Sequence, residues 1–182
     1  MPDNKKMVEI RHFKMSFGDK TVIKDLSFDV FRGEVFGFLG SNGSGKTTTL
    51  RALLGLYQST AGDLLINGKP YSVGSQIRLG YLPEERGLYK KEKVLDVMLY
   101  FGQLKGLSRK EAKDFSMKFL KRVNLSDKAN TQLDKLSGGQ QQKIQLGVTI
   151  MGDPELLIMD EPAKGFDPVN RRLLMNIIEE QR

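Results

Sequence analysis

Gly40-Ser41-Asn42-Gly43-Ser44-Gly45-Lys46-Thr47 satisfies the pattern G-x-x-x-x-G-K-[ST] at every position. Each required residue type has a chemical reason. Glycines let the backbone curl so that successive N–H groups point inward and cradle phosphate oxygens. A helix beginning directly after the loop aims its positive end at the same anion. Lys46 is a compact cation placed for β- and γ-phosphates, and the Thr47 hydroxyl is a magnesium ligand. An apolar run precedes the loop and a helical pattern follows it. In that context the segment is read as a nucleoside triphosphate site rather than a glycine-rich turn before an ordinary helix.

A second group of candidates closes the run Leu156-Leu157-Ile158-Met159-Asp160-Glu161. Ligands of open parallel sheets bind at the C-terminal ends of strands, where Asp160 would hold magnesium directly or through water. Glu161 faces the other side of the strand axis, free to orient and polarise an attacking water. The third segment is Leu136-Ser137-Gly138-Gly139-Gln140. Ser137 has the side chain of a helix cap, and two glycines bare the backbone for close approach to an anion. Nothing inside that loop is expected to satisfy the helix start, which suggests a phosphate supplied from elsewhere. On loop and acids alone a small kinase would also fit. A GTPase would need an N-K-x-D guanine reader, which the chain does not contain.

The elements that must position these residues follow from periodicity. Met7 to Met15 alternates loosely, Phe17 to Lys20 is a turn, and Val22-Ile23 and Leu26 to Val30 are strand-like. Val35-Phe36-Gly37-Phe38-Leu39 reads as a strand buried on both faces of a parallel sheet. A helix is expected from Lys46 to Leu56, with Gly55 near its end. Leu64-Leu65-Ile66 before Asn67-Gly68 is a strand ending in a tight turn, and Ile77 to Leu82 is a strand stopped by Pro83. Ser108-Arg109-Lys110-Glu111 is a capping box, after which Ala112, Phe115, Phe119, Leu120 and Val123 recur at helical spacing as core. Leu156 to Met159 is again strand-like, and Val169 to Arg182 is helical.

Composition bounds what these elements serve. At 182 residues, 39% of them hydrophobic, the chain suits a single domain with a real core. No apolar stretch approaches the roughly 18 residues of a membrane span, and Met1 to Lys6 lead into a strand pattern rather than a secretory signal. Without cysteine there is no disulfide, thiolate nucleophile or Cys-ligated metal, and His12 alone makes no histidine metal site. The net charge of +7 is concentrated between Arg78 and Arg122, where it reaches +6. Acidic residues are interleaved there, so this is read as a solvated helical face rather than a nucleic-acid surface.

Together the phosphate loop, the L-S-G-G-Q segment and the Asp160-Glu161 strand end resemble the ATP-binding cassette of ABC transporters. The resemblance runs from about Met7 to Arg182 with the motifs in the expected order. It implies an α/β P-loop NTPase core with a mainly parallel sheet, an N-terminal antiparallel β subdomain and an inserted helical subdomain. Residues 1–83 and 150–182 would form the core with its β subdomain, and 84–149 the helical subdomain. It implies ATP and Mg2+ as cofactors, with Gly40 to Thr47 and Thr48 at the nucleotide, Phe17 stacked on adenine, and Glu161 catalytic. Thr47, Asp160 and Glu84 would serve the metal. Ser137, Gly138, Gly139 and Gln140 would contact the γ-phosphate held by a second, head-to-tail copy, and Asp167 would communicate across that dimer.

Three departures stand out. The family usually has glutamine where Glu84 stands, and serine and leucine where Lys164 and Phe166 stand. Its switch histidine has no counterpart, because 21 residues follow Glu161 and His12 lies at the other end of the fold. The chain is therefore expected to be a C-terminally incomplete cassette, more competent in nucleotide binding than in hydrolysis. The run Tyr81 to Tyr89 is similar to bacterial sodium-efflux, drug and bacteriocin exporter cassettes, which work with separately encoded membrane subunits. The expected protein is thus a cytoplasmic subunit, peripheral on the inner face of the membrane through a permease, with no nucleic-acid partner. A ribosome- or chromosome-associated cassette is the alternative, and a soluble kinase leaves the signature segment unexplained.

Overall fold

A computed structural model describes residues 5–72, 74–85 and 87–182. The N-terminal Met1 to Asn4 and Arg86 of the Tyr81–Tyr89 run lie outside the described residues. The chain divides into two compact units, Met1–Gln76 with Arg182, and Ile77–Gln181.

In the first unit, β1 (Lys6–Phe17), β2 (Lys20–Phe31) and β3 (Ala61–Ile66) form an antiparallel sheet in the order β2-β1-β3. The hairpin register sets Phe17 opposite Lys20 and Ile10 opposite Phe28, and β3 sets Leu64 opposite Ile10. The turn after β3 uses Asn67 (φ 51°) and Gly68 (φ 77°), with Ile66 and Lys69 exchanging backbone hydrogen bonds of 2.8 and 3.2 Å. Positive φ at both positions matches the right-handed twist of the flanking strands. Val8, Ile10, Phe13, Met15, Ile23, Ala52, Leu53 and Ile66 are buried. Helix α1 (Lys46–Leu53) packs on β3 and stops short of the expected Leu56, with Leu54 as its C-cap and Gly55 (φ 68°) next.

The buried strand expected at Val35–Leu39 does not form. These residues have no regular secondary structure, and Val35, Phe36 and Leu39 are exposed. An apolar run becomes a buried strand only where neighbours supply a hydrogen-bond ladder. The first unit offers an antiparallel sheet already ordered β2-β1-β3, and the parallel ladder belongs to the second unit. Phe36 and Phe38 instead pack their rings on Phe28, with centroids 4.9 and 5.5 Å away.

The second unit holds β4 (Leu79–Leu82), α2 (Val94–Leu104), α3 (Arg109–Arg122), α4 (Gly138–Ile150), β5 (Leu156–Met159) and α5 (Pro168–Glu180). β4 and β5 are parallel, with Leu79 opposite Leu156 and Leu82 opposite Met159. Its core gathers Val94, Val97 and Met98 from α2, Phe119 and Leu120 from α3, Ile144 and Leu146 from α4, and Leu174 and Ile177 from α5. The expected Ser108 capping box is present: its hydroxyl accepts from Glu111 N, and Glu111 accepts from Ser108 N. Packing is tight where α3 meets α4. A Cβ on Gly147 would come within 2.5 Å of the Phe119 ring, so any larger residue there would displace it.

Candidate functional site

The phosphate loop belongs wholly to the first unit. Gly43 (φ 79°) and Gly45 (φ 93°) take left-handed conformations that side-chain-bearing residues rarely adopt, which turns the chain into the loop and out into α1. A Cβ on Gly45 would also sit 2.9 Å from the Ile23 side chain. Gly45 is the N-cap of α1 and has no side chain to bond the first-turn amides, and no acidic residue occupies that turn. These amides are therefore available to an anion. Lys46 Nζ donates to Gly40 O at 2.7 Å and Ser41 O at 3.0 Å, lying back across the loop that leads to it. Thr49, one turn on, is buried and donates its hydroxyl to Gly45 O at 2.9 Å, locking the loop's exit. Thr47 and Thr48 are half-buried beside it. Phe17, the expected adenine platform, ends β1 in the same unit, is 49% exposed, and meets Tyr57 edge-on at 5.6 Å.

The acids and the signature segment belong to the second unit. Asp160 N donates to Leu82 O at 2.8 Å, extending the β4–β5 ladder by one bond. Asp160 is 3% exposed, and its Oδ2 has no hydrogen-bond partner among the described residues. A buried carboxylate oxygen left bare is costly unless a cation or donor meets it. Magnesium takes few protein donors, typically one or two carboxylates, and fills its shell with water and phosphate. The bare Asp160 oxygen is a donor of that kind; no cluster of three metal-binding side chains occurs among the described residues. Glu161 is exposed, where Asp160 is buried, and takes a left-handed φ of 51°. A non-glycine residue in that region carries strain, a feature of functional turns.

The signature segment forms the start of α4. Ser137 Oγ accepts from Gln140 N at 3.3 Å, and Gln140 Oε1 accepts from Ser137 N at 2.9 Å. Two amides of the helix start, Ser137 N and Gln140 N, are thus satisfied within its own loop, where the sequence expectation was none. Gln140 at the third helical position closes a capping box, and the S-x-x-Q spacing was the overlooked signal. A Cβ on Gly139 would lie 3.7 Å from Gly165 O, so signature and post-β5 turn are neighbours. Asp167, expected at a dimer contact, is the N-cap of α5: Oδ1 and Oδ2 accept from Asn170 N and Nδ2, both at 2.8 Å.

Three further contacts are not readable from the sequence. Lys164 Nζ donates to Glu84 Oε1, and Glu84 holds the Lys164 ammonium above its ordinary value. Gln145 in α4 is buried and donates from Nε2 to Glu85 O at 3.2 Å. Lys105, after α2, donates to Val148, Thr149 and Met151 carbonyls at 2.7 to 3.0 Å, closing the C-terminal end of α4. No short-range pattern marks Gln145 or Lys105. Lys164 and Glu84 were visible only as separate departures.

Residues 23–164 match the family model described as ABC transporter, and the chain belongs to that family. It is 43% identical, over 97% of its own length and 64% of the relative's, to an uncharacterized ABC transporter ATP-binding protein of Methanocaldococcus jannaschii. Against the linearmycin resistance ATP-binding protein of Bacillus subtilis the identity is 34%, covering 96% of this chain and 57% of that one. Against a Nod factor export ATP-binding protein of a Rhizobium species it is 37%, covering 94% and 57%. A solved structure of an ATP-binding subunit of an ABC transporter superposes with a TM-score of 0.85 at 28% identity, covering 96% of this chain and 74% of that one. The chain therefore spans about three fifths of these curated relatives. No helix among the described residues is long and apolar enough to cross a membrane.

Proposed function

We propose that this chain binds and hydrolyses ATP as the energy-coupling subunit of an ABC exporter, closing head to tail on a second copy of itself. The observation that carries the reading is the phosphate loop: left-handed glycines, an α1 N-terminus without a side-chain cap, and Lys46 poised across the loop. In this reading Lys46 turns from the Gly40 and Ser41 carbonyls to the β- and γ-phosphates, while loop amides hold the remaining oxygens. Phe17 stacks on adenine. Thr47 in the first unit, and Asp160 and Glu84 in the second, are the residues that would hold magnesium, which would supply charge neutralisation to the phosphates. Glu161 orients water and takes its proton as the oxygen attacks the γ-phosphorus and the bond from that phosphorus to the bridging oxygen breaks, releasing ADP and phosphate.

Ser137 would act on the nucleotide of the opposite copy. Its oxygen already accepts from Gln140 N, which leaves the hydroxyl proton to donate to a γ-phosphate oxygen. Gly138 and Gly139 allow the close approach, and Asp167 keeps the following turn in shape for the contact. Export as the transport direction is supported by the printed name of the Nod factor export relative; a membrane permease as partner on the cytoplasmic face belongs to the same reading.

The test uses Glu161→Gln, which slows hydrolysis so that the ATP-bound state accumulates. Light scattering should show a dimer with ATP and a monomer with ADP. Ser137→Arg should abolish the dimer and leave ATP affinity of the monomer within twofold. An oligomer indifferent to nucleotide would refute the head-to-tail reading.

A further inference from the structure

Phe17 closes β1 beside the hairpin turn, and half of it is exposed. Its ring stands at 85° to that of Tyr57, with centroids 5.6 Å apart. Such a contact takes at most one face of the Phe17 ring. Tyr57, in the segment between α1 and β3, is half-buried and held from several sides. Its hydroxyl accepts from Arg51 Nη1 at 3.1 Å, and Arg51 lies in the last turn of α1, the helix that Lys46 opens. Just before it, Leu56 N donates to Arg51 O at 2.9 Å as the chain turns at Gly55. Just after it, Thr60 N donates to Lys14 O at 3.0 Å, and Thr60 Oγ1 accepts from Ser16 N at 2.9 Å, next to Phe17 itself. The segment is thus stapled to α1 at one end and to β1 at the other. All of these residues belong to the first unit, with the phosphate loop.

We infer that Tyr57 is a positioning residue that holds the Phe17 ring ready for the base of the nucleotide. The inference rests on the ATP reading above, in which Phe17 stacks on adenine. An exposed side chain at a hairpin end samples several rotamers, and ordering it on binding costs affinity. Tyr57 orders that ring before the ligand arrives. The benefit exists only for a ligand with a base, so a bare polyphosphate at the same loop should not sense it. A general loosening of the unit would weaken both.

Calorimetric titration with ATP and with inorganic tripolyphosphate, both with magnesium, tests this on the parent chain and its variants. Tyr57→Ala should weaken ATP binding about fivefold, about 1 kcal/mol, and tripolyphosphate binding less than twofold. Tyr57→Phe, which keeps the ring, should stay within twofold of the parent for both. Phe17→Ala should cost ATP affinity at least as much as Tyr57→Ala. Adding Tyr57→Ala to it should cost less than twofold more, because Tyr57 acts through Phe17. Equal losses for ATP and tripolyphosphate, or a further fivefold loss in the double variant, would overturn the role of Tyr57 alone. Unchanged ATP affinity in Phe17→Ala would overturn the adenine contact and this role with it, and a parent chain that binds neither ligand would overturn the ATP reading as a whole.

Discussion

The phosphate loop and the strand-end region around Asp160 are built in opposite ways. The loop is local: Lys46 bonds carbonyls five and six positions back, and Thr49 bonds one four positions back. The strand-end region is assembled from distant segments: Lys164 to Glu84 spans 80 positions, Gln145 to Glu85 spans 60, and Lys105 reaches across more than 40 to the end of α4. A local site depends on a few glycines and one cation. An assembled site depends on every helix that holds its parts in register. Damage to the first should therefore change binding with little change in stability, and damage to the second should change stability first.

The largest effect tests that contrast at the α3–α4 contact. Phe119→Ala should cost about 3–5 kcal/mol, because the ring is buried, stacks on Phe115 at 6.1 Å, and fills the space opposite Gly147. Denaturant unfolding measures it. A loss below about 1 kcal/mol would mean that α4, and the signature at its start, are not held by this packing.

Lys105→Met comes next, at about 2 kcal/mol, because three carbonyls at the end of α4 would lose their donor. Burial pushes the Lys105 ammonium down to about 8 from an unfolded value of 10.5. Between those values the unfolded chain binds a proton that the folded chain has released. Parent stability should thus rise with pH across that window through this group, and the methionine variant should lack that rise. Matched unfolding curves at pH 7.5 and 10 would show it.

What could be read from the sequence follows the same divide. The loop, its helix, the Asn67-Gly68 turn and the Ser108 cap were legible, because each depends on residues within a few positions. β5 and its terminal acids were legible from an apolar run of strand length. The same logic failed at Val35–Leu39, where the run is apolar but, among the described residues, forms no strand. Lys105 and Gln145 were invisible for a related reason. A lysine after a helix and a glutamine within one look like surface residues until distant carbonyls arrive to meet them. Glu84 and Lys164 were each noticed, but pairing them required β4 and β5 to be neighbours.

At the local site, Lys46→Ala should weaken ATP binding tenfold or more, at least about 1.4 kcal/mol, through loss of the cation facing the polyphosphate. Its unfolding midpoint should stay within about 2 °C of the parent, since among the described residues Lys46 bonds only carbonyls of its own loop. Equal affinity in the two proteins would remove the phosphate-site assignment. A large drop in midpoint would instead show that the loop is not as self-contained as its hydrogen bonds indicate.

The smallest effect sets two similar devices against each other. Ser108 and Ser137 both cap helices through reciprocal capping boxes, with Glu111 and Gln140 as the returning partners. Either serine changed to alanine should cost about 1 kcal/mol, a shift of roughly 2–4 °C for a chain of this size. Stability alone therefore cannot separate them. Ser108 opens α3 with a glutamate turned back on its own cap, an arrangement that would repel an anion, so Ser108→Ala should leave ATP-driven dimerisation intact in the Glu161→Gln background. Ser137 is paired with a neutral glutamine and keeps a hydroxyl proton to donate, so Ser137→Ala should lose the dimer as well as the cap. If both variants dimerise equally at matched stability, the Ser137 hydroxyl is a cap and nothing more, and the proposed contact with a partner's γ-phosphate would have to come from the Gly138 and Gly139 backbone.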